Sequence, residues 1–132
     1  MAGFFRIFAG NGIFVHLKST VFMPYGLTDR EWCKLLGVFA GNKRIRQAIL
    51  YGSRAKGTYK PFSDVDITLV GEDLSRADLN RLLFAIDDLL LPYQVDLSLF
   101  HVLKNDALVE HIRRKGIVIY ENIPDAPSKE AL

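Results

Sequence analysis

The residues best suited to chemistry are a glycine-serine pair and three aspartates: Gly52-Ser53, Asp64, Asp66 and Asp96. The pair ends an apolar run in "AILYGS", and the aspartates occur in two segments of alternating polarity, "DVDITLV" and "QVDLSLF". Side chains at alternate positions of a strand point to the same face, so Asp64 and Asp66 are expected to lie side by side. A third carboxylate joins them if the strand carrying Asp96 is a neighbour.

Carboxylates gathered on one surface repel one another unless a cation lies among them. Oxygen ligands without cysteine or histidine favour Mg2+ or Mn2+ over zinc, and Mg2+ commonly completes its shell with water and substrate phosphates. Asp64, Asp66 and Asp96 are therefore predicted to bind Mg2+ and to act in catalysis on a phosphorylated substrate.

The glycine-serine pair offers groups that suit phosphate. A strand that ends in Gly52-Ser53 and turns into a short helix presents backbone N–H groups and a hydroxyl to phosphate oxygens. Gly52 also lets the ligand approach the backbone closely, because it has no side chain. Arg54 and Lys56 follow directly. They are predicted to add positive charge to this nucleotide-binding site, although either could equally face solvent.

Each of these features alone has an ordinary structural explanation, so the prediction depends on their conjunction on one face. Gly52 and Gly57 have the spacing of a phosphate-loop NTPase, but Thr58 stands where that motif requires lysine, which excludes this class. Tyr51 and Phe62 flank the motif, and either line the nucleotide pocket or pack in the core.

The surrounding elements follow from hydrophobic periodicity and from start and stop signals. "TDRE" at residues 28–31 is a capping box that begins an amphipathic helix ending at Gly41-Asn42. The segments predicted after it are a strand in "QAILYGS", a strand over 64–70, a helix capped by Ser75 and ended by Pro92, a strand in "QVDLSLF", a helix over about 105–114, and an edge strand in "IVIYE". The buried stripe of the second helix is predicted to comprise Leu79, Leu82, Leu83, Ile86 and Leu90. This order predicts an α/β (α+β) domain with a small mixed sheet, helices packed on one face and an acidic active-site face.

Composition narrows the class of protein. The 132 residues, 49% hydrophobic and 24% charged, fit one globular domain. A net charge of +2 is too small to indicate direct nucleic-acid or membrane binding, so neither is predicted. Cys33 is the single cysteine, which excludes an internal disulfide and is typical of the reducing cytoplasm.

The chain divides into three predicted parts. Residues 1–22 are apolar but interrupted by Arg6, Asn11 and glycines, which suits neither a targeting signal nor a bilayer span. We expect them to form an N-terminal extension or arm. Residues 23–123 are predicted to form the catalytic domain, and residues 124–132 a C-terminal tail.

Gly52-Ser53, ten intervening residues and then Asp64-Val65-Asp66 resemble the signature of the DNA polymerase β-like nucleotidyltransferases. "VDLSLF" with Asp96 is similar to their third acidic strand, and the compact arrangement over about residues 28–121 resembles the minimal nucleotidyltransferases, the MntA-like proteins. The resemblance implies the nucleotidyltransferase fold, with the glycine-serine pair holding ATP as co-substrate and the three aspartates holding two Mg2+ ions. It further implies transfer of a nucleoside monophosphate, AMP from ATP by preference, to a hydroxyl group.

The resemblance also implies a partner. Many minimal members are encoded beside a small all-helical HEPN toxin, and act as the antitoxin by modifying it with AMP. Two alternatives remain open: an antitoxin that neutralises its partner by binding alone, and a transferase acting on a small molecule such as an antibiotic. The second requires an acceptor site that a chain of this length lacks, unless a homo-oligomer builds one.

Overall fold

A computed structural model describes residues 4–9, 13–18 and 24–122. The described residues form six strands and four α-helices, besides two short 3-10 helices: β1 (Phe4–Ala9), β2 (Ile13–Lys18), α1 (Asp29–Ala40), β3 (Gln47–Tyr51), α2 (Ser53–Lys56), β4 (Val65–Val70), α3 (Arg76–Asp87), β5 (Val95–Leu99), α4 (Asp106–Lys115) and β6 (Ile117–Glu121). No helix among them is both long and apolar enough to cross a bilayer.

The strands form one mixed sheet in the order β1-β2-β6-β3-β4-β5. β4 and β5 are parallel, and the other neighbouring pairs are antiparallel. The predicted mixed sheet is therefore confirmed. The prediction that β6 is an edge strand is wrong, because β6 pairs with β3 on one side and with β2, at Phe14 and Glu121, on the other.

The segment predicted as an N-terminal arm contains β1 and β2, which pair with each other from Phe4–Lys18 to Ala9–Ile13. β2 joins this hairpin to the rest of the sheet through β6. Whether residues 1–22 form a separate part stays a prediction, and the predicted tail over 124–132 lies outside the described residues.

Helices α1 and α3 cover one face of the sheet, as their hydrophobic stripes predict. Trp32, Leu35 and Phe39 of α1 are buried in one cluster with alternate residues of the strands, among them Leu50 and Ile67. The predicted capping box begins α1: the Thr28 amide donates to Glu31 Oε1 (2.9 Å), and the Glu31 amide donates to Thr28 Oγ1 (3.1 Å). These local bonds set where the helix starts, and its stripe sets which face it covers.

The second helix ends earlier than predicted. α3 stops at Asp87, and Leu90 beyond it has a left-handed backbone (φ 56°) and a side chain that is 87% exposed. Leu82 and Ile86 are buried as expected, but Leu90 does not belong to the stripe. A chain that has left the helix no longer repeats every 3.6 residues, which is the reason for the error.

Helix α4 contacts β3 from the opposite side of the sheet. Gly116 directly follows it, and a Cβ there would touch both the Ile112 carbonyl oxygen and the Ile49 side chain. Strand alternation places Ile49 on the face opposite Ala48 and Leu50. This second face also carries Asp66, so the prediction that the helices pack on one face holds for α1 and α3 but is wrong for α4.

Candidate active site

The sheet register brings the predicted site residues to one end of three strands. Tyr51, the last residue of β3, pairs with Asp66 of β4, and Asp66 pairs in turn with Asp96 of β5. Gly52 and Ser53 follow Tyr51 directly. The glycine-serine corner and two of the three aspartates therefore lie together at this end of the strands, which is called the active-site edge below.

Asp66 stands beside both other aspartates. Burial first, and then the charges of Asp96 and Asp64, raise the pKa of the Asp66 carboxyl above its ordinary value, and a hydrogen bond shared with Asp96 adds to the rise. Asp64 and Asp96 are exposed, whereas Asp66 is half-buried. Asp66 therefore lies beside Asp96 in the sheet and two residues after Asp64, and metal binding by all three carboxylates stays a prediction.

Gly52 touches the central carboxylate. Its backbone (φ 79°, ψ −155°) lies in a region that is essentially restricted to glycine. A Cβ at this position would collide with Asp66 Oδ2 and would lie 3.3 Å from Asp66 Cγ. The glycine therefore lets the corner and the acid occupy adjoining space, and α2 starts from it at Ser53.

The hydroxyl pair Thr68 and Ser98 lies on the same face as Asp66 and Asp96, two residues further along each strand. Thr68 is fully buried, and Ser98 Oγ donates to Thr68 Oγ1 at 2.9 Å. Burial raises the pKa of the Tyr51 phenol, and the charges of Asp66 and Asp96 add to the rise. A hydrogen bond with Ser98 opposes the rise and connects Tyr51 to the hydroxyl pair. The sequence left open whether Tyr51 lines the nucleotide pocket or packs in the core, and this half-buried position next to Gly52 favours the pocket.

Arg54 lies elsewhere than predicted. Its side chain is 1% exposed, and its guanidinium donates to the carbonyl oxygens of Tyr25, Pro61 and Ser63. This position corrects the prediction that Arg54 contacts the nucleotide, because its donors face carbonyl groups inside the domain. Lys56 is exposed at the end of α2, and its contact with nucleotide stays a prediction.

Phe62 is 75% exposed in the loop that precedes Asp64, so packing in the core does not explain it. Its side chain remains available to a ligand at the active-site edge. The sequence left both explanations open, and the exposure removes one of them.

The donor set fits a hard divalent cation. In the described part of the chain, no group of three His, Cys, Asp or Glu side chains is already arranged to hold an ion. Mg2+ commonly takes one or two carboxylates and completes its shell with water and substrate phosphates, so the adjoining Asp66 and Asp96 meet that need. Burial first, and then the charge of Asp96, raise the pKa of Asp66, and a bound cation would relieve the repulsion between the two carboxylates.

Comparison with known proteins agrees with this geometry. The family model described as "Polymerase beta, Nucleotidyltransferase" matches residues 34–125. None of the curated proteins is similar enough in sequence to match.

Solved structures share the fold at low sequence identity. The chain is similar to a crystal structure described as "the toxin-antitoxin with AMP-PNP" (TM-score 0.56, 22% identity, 80% of each chain covered). It is also similar to the toxin-antitoxin MntA-HepT (TM-score 0.52, 17% identity, 79% of each chain covered). At these identities the likeness shows the fold alone.

Proposed function

The chain belongs to the polymerase β type of nucleotidyltransferase, and on that premise we propose that it transfers a nucleoside monophosphate, AMP from ATP by preference, to a hydroxyl group of a partner protein. The observation that carries the proposal is the contact of Gly52 with Asp66, which in turn lies in register with Asp96. The proposed phosphate-binding corner is therefore directly adjacent to the carboxylate pair Asp66 and Asp96.

In the proposed reaction, backbone N–H groups at Gly52 and Ser53 bind oxygens of the triphosphate and orient its α-phosphorus. Asp64, Asp66 and Asp96 hold Mg2+, which when bound neutralises phosphate charge and stabilises the entering and leaving oxygens. The exposed Asp96 carboxylate accepts the proton of the attacking hydroxyl. A bond forms between the acceptor oxygen and the α-phosphorus, and the bond to pyrophosphate breaks.

The partner is proposed to be a small helical toxin of the HEPN type, with this chain as its antitoxin in the cytoplasm. Support comes from the family and from the solved structures of the same fold, which are described as toxin-antitoxin complexes. The exposed carboxylates at the active-site edge leave room for a protein acceptor.

The test is incubation of the purified chain with α-labelled ATP, Mg2+ and a co-encoded helical protein of the HEPN type. We expect label on the partner, loss of labelling with a chelator, and recovery with added Mg2+. Asp66→Asn should reduce transfer by about a hundredfold or more, because it removes a central metal ligand. Asp73→Asn, an exposed aspartate in the loop after β4, is the matched control and should transfer normally.

A folded wild-type protein that labels no acceptor, or an Asp66→Asn variant as active as wild type, would overturn the proposal. Co-expression with the toxin then separates modification from binding alone. If Asp66→Asn still protects cells from the toxin, neutralisation does not depend on the transfer reaction.

A further inference from the structure

We propose that Arg54 is a positioning residue that holds Asp64 in place by fixing the peptide bond in front of it. The inference rests on the proposed function, since Asp64 matters through the metal it is proposed to bind. Arg54 was predicted to bind the nucleotide, but its side chain is buried inside the domain.

The hydrogen bonds of Arg54 are concentrated on the residue before Asp64. Its Nε and Nη2 both donate to the Ser63 carbonyl oxygen, at 3.1 and 2.8 Å. Nη2 also donates to the Pro61 carbonyl oxygen (3.3 Å), and Nη1 donates to that of Tyr25 (2.8 Å). The Ser63 carbonyl belongs to the peptide unit that ends at the Asp64 nitrogen, so holding it sets the direction in which the chain enters Asp64.

The guanidinium is itself held tightly. It lies over the rings of Tyr93 (4.5 Å from the centroid) and Tyr59 (5.0 Å). The Tyr93 hydroxyl, which has a single proton, lies within hydrogen-bond distance of two acceptors, Glu31 Oε1 (2.9 Å) and the Gly26 carbonyl oxygen (3.2 Å). In the described residues Arg54 forms no salt bridge, so carbonyl groups and aromatic faces are what compensate its buried charge.

Burying an arginine in this way is costly, and packing alone would be achieved more cheaply by an apolar side chain. What only arginine supplies is a planar group with donors in a fixed geometry. The Arg54 side chain extends from α2, next to Ser53, to the Ser63 carbonyl in front of Asp64. One side chain therefore couples the phosphate-binding corner to the first acid of the motif.

Asp64 needs such support more than Asp66 does. The β4 ladder begins at Val65, whose amide donates to the Gln94 carbonyl oxygen (2.8 Å), and Asp66 lies inside the ladder. Asp64 precedes the strand and is exposed. Loss of the Arg54 bonds should therefore displace Asp64 and leave Asp66 in place.

Arg54→Lys tests this, because lysine keeps the charge but lacks the planar fork. Arg81→Lys is the matched control: Arg81 is an exposed arginine paired with Asp78 (3.0 Å), away from the site. We expect Arg54→Lys to lower kcat for nucleotidyl transfer and to raise the Mg2+ concentration for half-maximal activity, each about tenfold. Arg81→Lys should change neither.

The double variant Asp64→Asn with Arg54→Lys tests whether Arg54 acts through Asp64. Asp64→Asn alone should lower transfer, and adding Arg54→Lys should lower it no further, because Asp64 is then already lost. Losses that multiply, or an Arg54→Lys variant as active as Arg81→Lys, would overturn the inference.

Amide NMR spectra of the metal-free protein give a readout that needs no activity. Arg54→Lys should move the Ser63 and Asp64 resonances and leave that of Asp66 unchanged, whereas unchanged Ser63 and Asp64 resonances would refute the inference. If they move but wild type transfers no nucleotide, the proposed function fails and the positioning role stands. If Arg54→Lys does not fold, Arg54→Gln, which keeps amide donors, is used for the same comparisons.

Discussion

Replacing Gly52 with alanine is the smallest change that tests the geometry of the site. Two effects follow from one added methyl group. The backbone at Gly52 (φ 79°, ψ −155°) becomes strained for any residue with a side chain, and the new Cβ collides with the Asp66 carboxylate. Asp66 must move away from the position in which it pairs with Asp96.

The structure sets the size of each effect. Holding alanine in this backbone region costs about 1–3 kcal/mol, and displacing a packed side chain adds about 1 kcal/mol or more. We therefore expect the free energy of unfolding to fall by about 2–4 kcal/mol. Nucleotidyl transfer should fall about a hundredfold, because a misplacement of about 1 Å at reacting groups has that effect.

Gly57→Ala is the matched control. Gly57 also has a left-handed backbone (φ 82°, ψ 10°), but a Cβ there meets no atom within 4 Å. It should cost about 1–2 kcal/mol of stability and leave transfer within about threefold of wild type. Urea unfolding and initial rates of transfer measure both. Equal loss of activity in the two variants would refute the reasoning, since strain alone would then suffice without displacement of Asp66.

Three further changes have outcomes of definite sign. Leu90→Gly should raise the free energy of unfolding in urea by about 1 kcal/mol, since it relieves a left-handed leucine (φ 56°) whose side chain is exposed; a decrease would contradict this. Ser98→Ala should lower it by about 1 kcal/mol by leaving the buried Thr68 hydroxyl without its 2.9 Å partner, and adding Thr68→Val should recover part of the loss. Hydrogen bonds to Ser75 first, and then to Arg81, lower the pKa of Asp78, so its contribution to stability is present above the ordinary value of 3.8 and is lost as the pH falls below it. The Tm difference between wild type and Asp78→Asn should accordingly be largest at neutral pH and narrow below pH 3.8; a difference that does not depend on pH would refute the assignment.

Local signals were enough to predict the faces of the central strands. Val65, Ile67 and Leu69 alternate with polar residues in the sequence, and all three are fully buried. Because a strand repeats every two residues, the same alternation assigns Asp66 to the other face without knowledge of the fold. The capping residues of the first helix act over three positions, and were predictable for the same reason.

Features that depend on distant residues were not predictable in this way. The burial of Arg54 requires the rings of Tyr59 and Tyr93 and the carbonyl of Tyr25, which no local pattern connects to it. A basic residue next to a glycine-serine corner favours a phosphate contact on chemistry alone. The prediction that Arg54 binds the nucleotide was made for that reason, and it was wrong. The inner position of β6 likewise depends on its pairing with β2, about a hundred residues earlier in the chain.

The sheet topology explains why these groups meet at the active-site edge. β3 and β4 are antiparallel and are joined by residues 52–64, so the end of β3 and the start of β4 must be neighbours. β5 is parallel to β4, so its start reaches the same edge only after the chain has crossed the sheet through α3. The contact between Gly52 and Asp66 is therefore fixed by a short connection, whereas Asp96 depends on how α3 packs. Changes that loosen α3, such as loss of the Asp78 cap, should accordingly disturb Asp96 before they disturb the glycine-serine corner.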